Sequence, residues 1–190
     1  TKINDDIEVI QHSGKECLDD LLGKSRFCGT RVTGGLLSKK CFSEKKFKIG
    51  VLHEDTELVS SLFGNAEMIG FINVSLYFRR VRDGSLTSSS LSTKNLDLID
   101  AYKSAEKYCM SNYPEFTYLA RNRIVSSALT LLIKYYAGGM VIDGFEKKCK
   151  AALKEYIGEK NIEARYKVIY GMIVIAPYIT ANLICHLYKL

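Results

Sequence analysis

The residues best placed to do chemistry are His53-Glu54-Asp55, three polar side chains immediately before an apolar-periodic stretch. A carboxylate at a loop–helix junction is accessible to a substrate yet held by the helix behind it, which suits a general base. The same pattern also serves as a helix cap with an acidic first turn, because carboxylates complement the helix dipole. A second cluster is Arg79-Arg80-Val81-Arg82-Asp83-Gly84-Ser85-Leu86-Thr87. Its guanidiniums offer bidentate donors, and its hydroxyls further hydrogen bonds, to a diphosphate. As a basic turn after an edge strand it needs no ligand. A third is Gly34-Gly35 ahead of Leu36-Leu37-Ser38-Lys39-Lys40, where a turn of positive φ accounts for the glycines. The sequence holds no DxD pair, Walker-type loop, GxGxxG or nucleophile elbow. His12, His53 and His186 are too scattered to suggest a metal site. Six cysteines without CxxC or zinc spacing read as free thiols in a reducing compartment.

The elements that must position these residues follow from pattern. With 190 residues, 47% hydrophobic and 25% charged, the chain can bury a real core and is neither disordered nor fibrous. Ser13-Gly14-Lys15-Glu16 is a capping box that opens a helix over residues 17–22, stopped by Gly23, after a short apolar strand at 7–10. A helix is expected over 54–63, with Leu58, Val59 and Leu62 on one face and Gly64-Asn65 as its stop. Alternation over 68–78 predicts a strand. After the polar run 87–93 the texture changes. Helices are expected over 92–112, 114–136 and 145–157, with Pro114 in a favoured first turn and Gly138-Gly139 as a stop. The fold class is therefore α+β. Short strands and turns occupy 1–90, and an all-helical region occupies 91–190.

Residues 168–188 carry no Asp, Glu, Lys or Arg. Pro177 should split this segment into two helices. Its tyrosines, Asn182 and Thr180 suit helix–helix packing, or peripheral contact with a membrane interface, better than a membrane span. The net charge of +6 favours anionic partners such as phosphates or a membrane surface. No nucleic-acid motif is present, so nucleic acid is not an expected partner.

The order of the pieces resembles the second half of an inverting family 2 glycosyltransferase of the GT-A type. In that family a segment like "GKLYKRELF" leads to an "ED" pair opening a helix, then a strand, then a "YxRxxxSIT"-like loop. Here these are residues 34–42, Glu54-Asp55, residues 68–78 and residues 80–87. The ordered match covers roughly residues 13–90, and the helical remainder resembles, more loosely, the C-terminal helices of bacterial polysaccharide transferases. The resemblance implies that Asp55, with Glu54 beside it, is the catalytic base. It implies that Arg80, Arg82, Ser85 and Thr87 close on the donor's diphosphate, and that Gly34, Gly35 and His53 lie on the acceptor side. Thr33 and Gly35 stand where the family often has an aromatic residue and a lysine.

The family's nucleotide-binding half, with the DxD carboxylates that hold Mg²⁺ or Mn²⁺, has no counterpart in these residues. The chain opens at Thr1 on polar residues without a signal peptide, so the expectation is an inactive fragment of a longer cytoplasmic enzyme, peripheral at the inner face of the membrane. That parent would use a nucleotide-sugar donor and a glycan or lipid-linked acceptor. A truncated sheet would leave an open edge, so self-association is expected. The residues alone leave a second reading open: a non-catalytic α+β binding module whose basic loop and apolar tail dock on a membrane or partner.

Overall fold

In a computed structural model, which describes residues 8–42, 45–78 and 90–188, the chain is mostly helical with one two-stranded antiparallel sheet. Strand β1 (Val9–Ser13) pairs with β2 (Met68–Ile72), Val9 opposite Ile72 and Ser13 opposite Met68. Helix α1 (Gly14–Leu22) starts where β1 ends. The capping box is formed: Ser13 Oγ accepts from Glu16 N–H, and the Glu16 carboxylate accepts from Ser13 N–H at 2.7 Å. These bonds hold the Glu16 carboxyl below its usual range.

The strand expected over 68–78 is shorter than its alternation suggests. Asn73 Oδ1 accepts from Glu8 N–H at 3.3 Å, so a side chain takes the donor at the end of the ladder, and residues 74–78 form no strand. The sheet carries an aromatic cluster in which His12 stacks on Phe27 at 4.4 Å with Phe71 edge-on to both. His12 is thus an aromatic packing partner.

A single turn, α2 (Lys39–Phe42), precedes α3 (Glu54–Asn65). Helix α3 runs through Gly64 and ends at Asn65, the pair expected to stop it. The ring of Tyr108 lies where a side chain at Gly64 would project, and Tyr113 Oη donates to Gly64 O at 2.7 Å.

The second region begins with a 3₁₀ turn (Thr93–Leu96) capped by Ser92 and Asn95, and continues as α4 (Asp97–Asn112). A 3₁₀ turn with Pro114 at its start leads into α5 (Thr117–Ala137). Then come α6 (Phe145–Tyr156), α7 (Ala164–Ile175) and α8 (Pro177–Tyr188), the last two separated at Ala176-Pro177. Helix α5 is the hub. It packs on α4, α6, α7 and α8, and on α1 from the first region.

The main core is built on these helices, with Ile99, Ile124, Leu132, Phe145 and Leu153 fully buried, and takes in Leu18 and Leu22 of α1. A smaller cluster joins Cys17, Leu21, Cys28 and Val59. All six thiols are free. Polar contacts reinforce the packing. Arg123 of α5 donates to the carbonyls of Leu21, Leu22 and Gly23, at 2.9 Å each, meeting the orphan carbonyls at the end of α1. Within the bundle, buried Glu106 accepts from Arg121 and from Tyr156 Oη at 2.7 Å. Burial and this carboxylate push the Tyr156 hydroxyl strongly up.

Candidate functional site

The candidate site forms where the loop before α3 meets α4 and α5. Asp97, in the first turn of α4, accepts from Leu52 N–H at 2.9 Å and anchors the approach. His53 then takes a left-handed conformation, φ 67° and ψ 31°, and turns the chain into α3. Its side chain makes no cap hydrogen bond, so the capping role available to it in sequence is not used. The cost of that backbone sits beside the carboxylates, a common location for strain.

Glu54, Asp55 and Glu57 fill the first turn of α3 and complement its dipole. They are not equivalent. Glu57 is committed: Ser104 Oγ donates to it at 3.1 Å and Lys48 forms an ion pair with it. Asp55 uses one oxygen, Oδ1, to accept from Thr56 N–H at 2.7 Å. Its geometry therefore serves as a local helix-end acceptor and leaves Oδ2 unengaged among the described residues.

Asp55, Glu54 and His53 line a cleft of about 490 Å³. Its opposite wall is Asn95 from the 3₁₀ turn and Thr130 and Lys134 from α5, with Leu91, Leu98 and Leu131 as apolar lining. Asn95 Oδ1 is engaged by Ser92 N–H at 2.7 Å, which leaves its amide N–H₂ for a ligand. Burial raises the pKa of the Tyr102 hydroxyl of α4, with the Arg123 charge lowering it and the Asp55 charge raising it. A carboxylate, an ammonium, an amide and a hydroxyl around an apolar lining can hold a hydroxylated ligand and take a proton from it.

On the other side of Glu54 lies a second cleft of about 620 Å³, carrying Lys45, Lys46, Lys48 and Lys107. Lys45 sits over the Tyr108 ring at 5.0 Å. Glu54 lines both clefts.

The residues singled out from sequence are only partly gathered. Glu54, Asp55 and His53 come together. Gly34 and Gly35 do not line either cleft. Gly34 adopts φ 89° against the Tyr77 side chain, the left-handed turn expected there, whereas Gly35 needs no such conformation. Arg80, Arg82, Ser85 and Thr87 lie outside the described residues. Sequence reading missed Asn95, Thr130 and Lys134. Lys134 carried a faint signal, as one cation within the apolar run of α5. Asn95 and Thr130 carried none, since only the antiparallel meeting of α4 and α5 brings them to Asp55.

Among the described residues no group of three or more His, Cys, Asp or Glu side chains could hold a metal ion. Comparison with protein-family models, with curated proteins and with solved structures gives no match.

Proposed function

We propose that this chain is the acceptor-side portion of an inverting GT-A-type glycosyltransferase. The observation that carries the reading is the Glu54-Asp55 pair at the start of α3, opening on a cleft with Asn95, Thr130 and Lys134 opposite. The ordered motifs around that pair support it. In this reading Asp55 Oδ2 takes the proton of an acceptor hydroxyl as the oxygen attacks the anomeric carbon of a nucleotide sugar. The bond from that carbon to the diphosphate breaks on the opposite face, and the configuration inverts. The bond from Thr56 N–H to Oδ1 fixes the carboxylate plane so that the second oxygen stays available. The Lys134 ammonium and the Asn95 amide orient the acceptor. The nucleotide half, and with it Mg²⁺ or Mn²⁺, belongs to the longer parent enzyme that this reading requires.

The test is transfer from nucleotide-sugar donors by the complete protein encoded by the gene, comparing wild type with Asp55→Asn. Removing a general base should lower kcat by about 10²- to 10⁴-fold, with thermal unfolding nearly unchanged. Transfer that persists in Asp55→Asn would remove Asp55 as the base and defeat the reading, and a wild-type protein that transfers from no nucleotide-sugar donor would favour the non-catalytic binding module.

A further inference from the structure

The second cleft, beyond Glu54 from Asp55, concentrates positive charge. Four lysines, Lys45, Lys46, Lys48 and Lys107, line it against two carboxylates, Glu54 and Glu57. Of the four, only Lys48 has an ion-pair partner among the described residues, and that partner is Glu57.

The walls are held by groups other than the three remaining ammoniums. Helix α4 presents Ser104, Lys107, Tyr108 and Ser111 at helical spacing on one face. The segment that carries Lys45 and Lys46 is fixed at both ends. Before it, Asn65 Nδ2 donates to Cys41 O at 3.0 Å, while Tyr108 Oη donates to Asn65 Oδ1 at 2.8 Å. Lys45 N–H donates to Phe42 O at 2.8 Å, and the Phe42 and Phe47 rings meet edge to face at 6.1 Å. After it, Lys48 is tied to Glu57. The neutral polar side chains of the cleft are already engaged. Ser104 Oγ donates to Glu57, Ser111 Oγ to Lys107 O and Asn112 Nδ2 to Tyr108 O. Lys46, Lys107 and Lys45, the last lying over the Tyr108 ring, are exposed and can meet a ligand.

We propose that this cleft binds a small ligand through a phosphate group, free or esterified, that carries two or more negative charges. Four ammoniums against two carboxylates leave the cleft at +2, which a doubly charged phosphate balances and a single carboxylate does not. Lysine meets phosphate as a point charge, and no arginine fork is present here for a planar carboxylate. A cleft of about 620 Å³ has the size of a small-molecule site, whereas lysine is depleted where proteins pack on each other. Glu54 lines the same space and opposes an anion there. Asp55 does not line this cleft, so the site stands whether or not Asp55 is a base. The site also lies apart in sequence from the diphosphate loop that the family resemblance places at residues 80–87.

The test is an amide NMR titration of the full chain with inorganic pyrophosphate, with a chelator present so that no metal ion bridges the two. Saturable shifts are expected at residues 45–48 and 104–112, with a Kd below about 1 mM. Lys46→Ala/Lys107→Ala should weaken binding about 20-fold, with thermal unfolding unchanged because both side chains are exposed. Glu54→Gln should tighten it about threefold, since an opposing charge is removed, and added salt should weaken wild type. Lys147→Ala/Lys154→Ala removes the same charge from a different cleft, beside α6, and should change Kd by less than about twofold. Inorganic phosphate and glucose 1-phosphate in the same titration separate the sources: tighter binding of the ester assigns an organic phosphate, and equal binding a free anion. Shifts that do not saturate, a Lys46/Lys107 variant that binds like wild type, or an equal loss in the α6 variant overturns the proposal. Asp55→Asn should leave pyrophosphate binding intact, so failure of the transferase reading and failure of this site are told apart.

Discussion

The two regions of this chain reach order by different means. Residues 90–188 are held by volume: four helices around α5, with buried Ile, Leu and Phe side chains in one continuous core. Residues 8–78 own only a small cluster, Cys17, Leu21, Cys28 and Val59. They are held instead by directional polar ties, many of them made to the other region. Arg123 caps α1, Tyr113 binds Gly64 O, Tyr108 binds Asn65, and Asp97 fixes Leu52. Helix α1 belongs to both. Its Leu18 and Leu22 enter the large core while Cys17 and Leu21 enter the small one. Because the candidate site lies on the seam, its carboxylates come from the weakly cored region and its opposite wall from the strongly cored one. The bundle thus acts as the rigid template, and the polar ties set how closely Asp55 approaches it.

The sharpest way to break this contrast is to damage the bundle. Phe145 is fully buried and stacks on Tyr135 at 5.5 Å. Phe145→Ala leaves a cavity that close packing fills poorly, and should cost about 4 kcal/mol in urea unfolding. The loss should appear as one shifted transition in both regions, since α1 shares the core. Two separated transitions would show that the first region stands without the bundle.

A polar tie in the first region comes next. Asp20 is 4% exposed and accepts from the backbone N–H of Arg26, Phe27 and Cys28 at 2.9–3.0 Å, with the Arg26 guanidinium nearby. Burial alone would raise its carboxyl, but the three N–H donors and Arg26 outweigh it and hold the pKa below the usual 3.8. Asp20→Ala strands three donors and should cost about 3 kcal/mol, with faster amide exchange at residues 26–28. The pH dependence has a definite sign. The folded carboxyl is the stronger acid, so the stabilisation is complete above about pH 4 and is lost as pH falls through the lower folded pKa. Wild type and variant should therefore converge in acid. A difference that stays constant from neutral to strongly acidic pH would show that Asp20 acts by shape and not by charge.

The same contrast explains what could be read from sequence. Signals that act within a few residues were legible: the Ser13/Glu16 box, Pro114 at a helix start, Gly138-Gly139 at an end and the break at Pro177. The helical periods from 92 onward were legible for the same reason. Errors fell where a distant partner decides. Alternation through Phe78 gives no strand beyond Ile72, because a strand also needs a paired neighbour. Asp20, one of three acids on the short helix α1, gave no sign that it would organise the loop after it. At the site, Glu54 and Asp55 were legible from their position, but Asn95, Thr130 and Lys134 depend on helix packing that no local pattern encodes.

The smallest effect bears on the seam itself. His53 holds φ 67° without a side-chain cap bond, a conformation that glycine adopts freely and other residues adopt at a cost. His53→Gly relieves that cost but gives the unfolded chain more freedom. The two terms oppose, and a net gain of about 0.5 kcal/mol is expected by thermal unfolding. His53→Ala keeps the Cβ and the strain and should show no gain, which separates backbone relief from loss of the imidazole. If glycine stabilises and alanine does not, the turn into α3 is strained, and the packing around Leu52 and Asp97 is what maintains it. If both variants are less stable than wild type, the imidazole makes a favourable contact in the cleft that outweighs the backbone cost, and His53 belongs to the site by contact as well as by position.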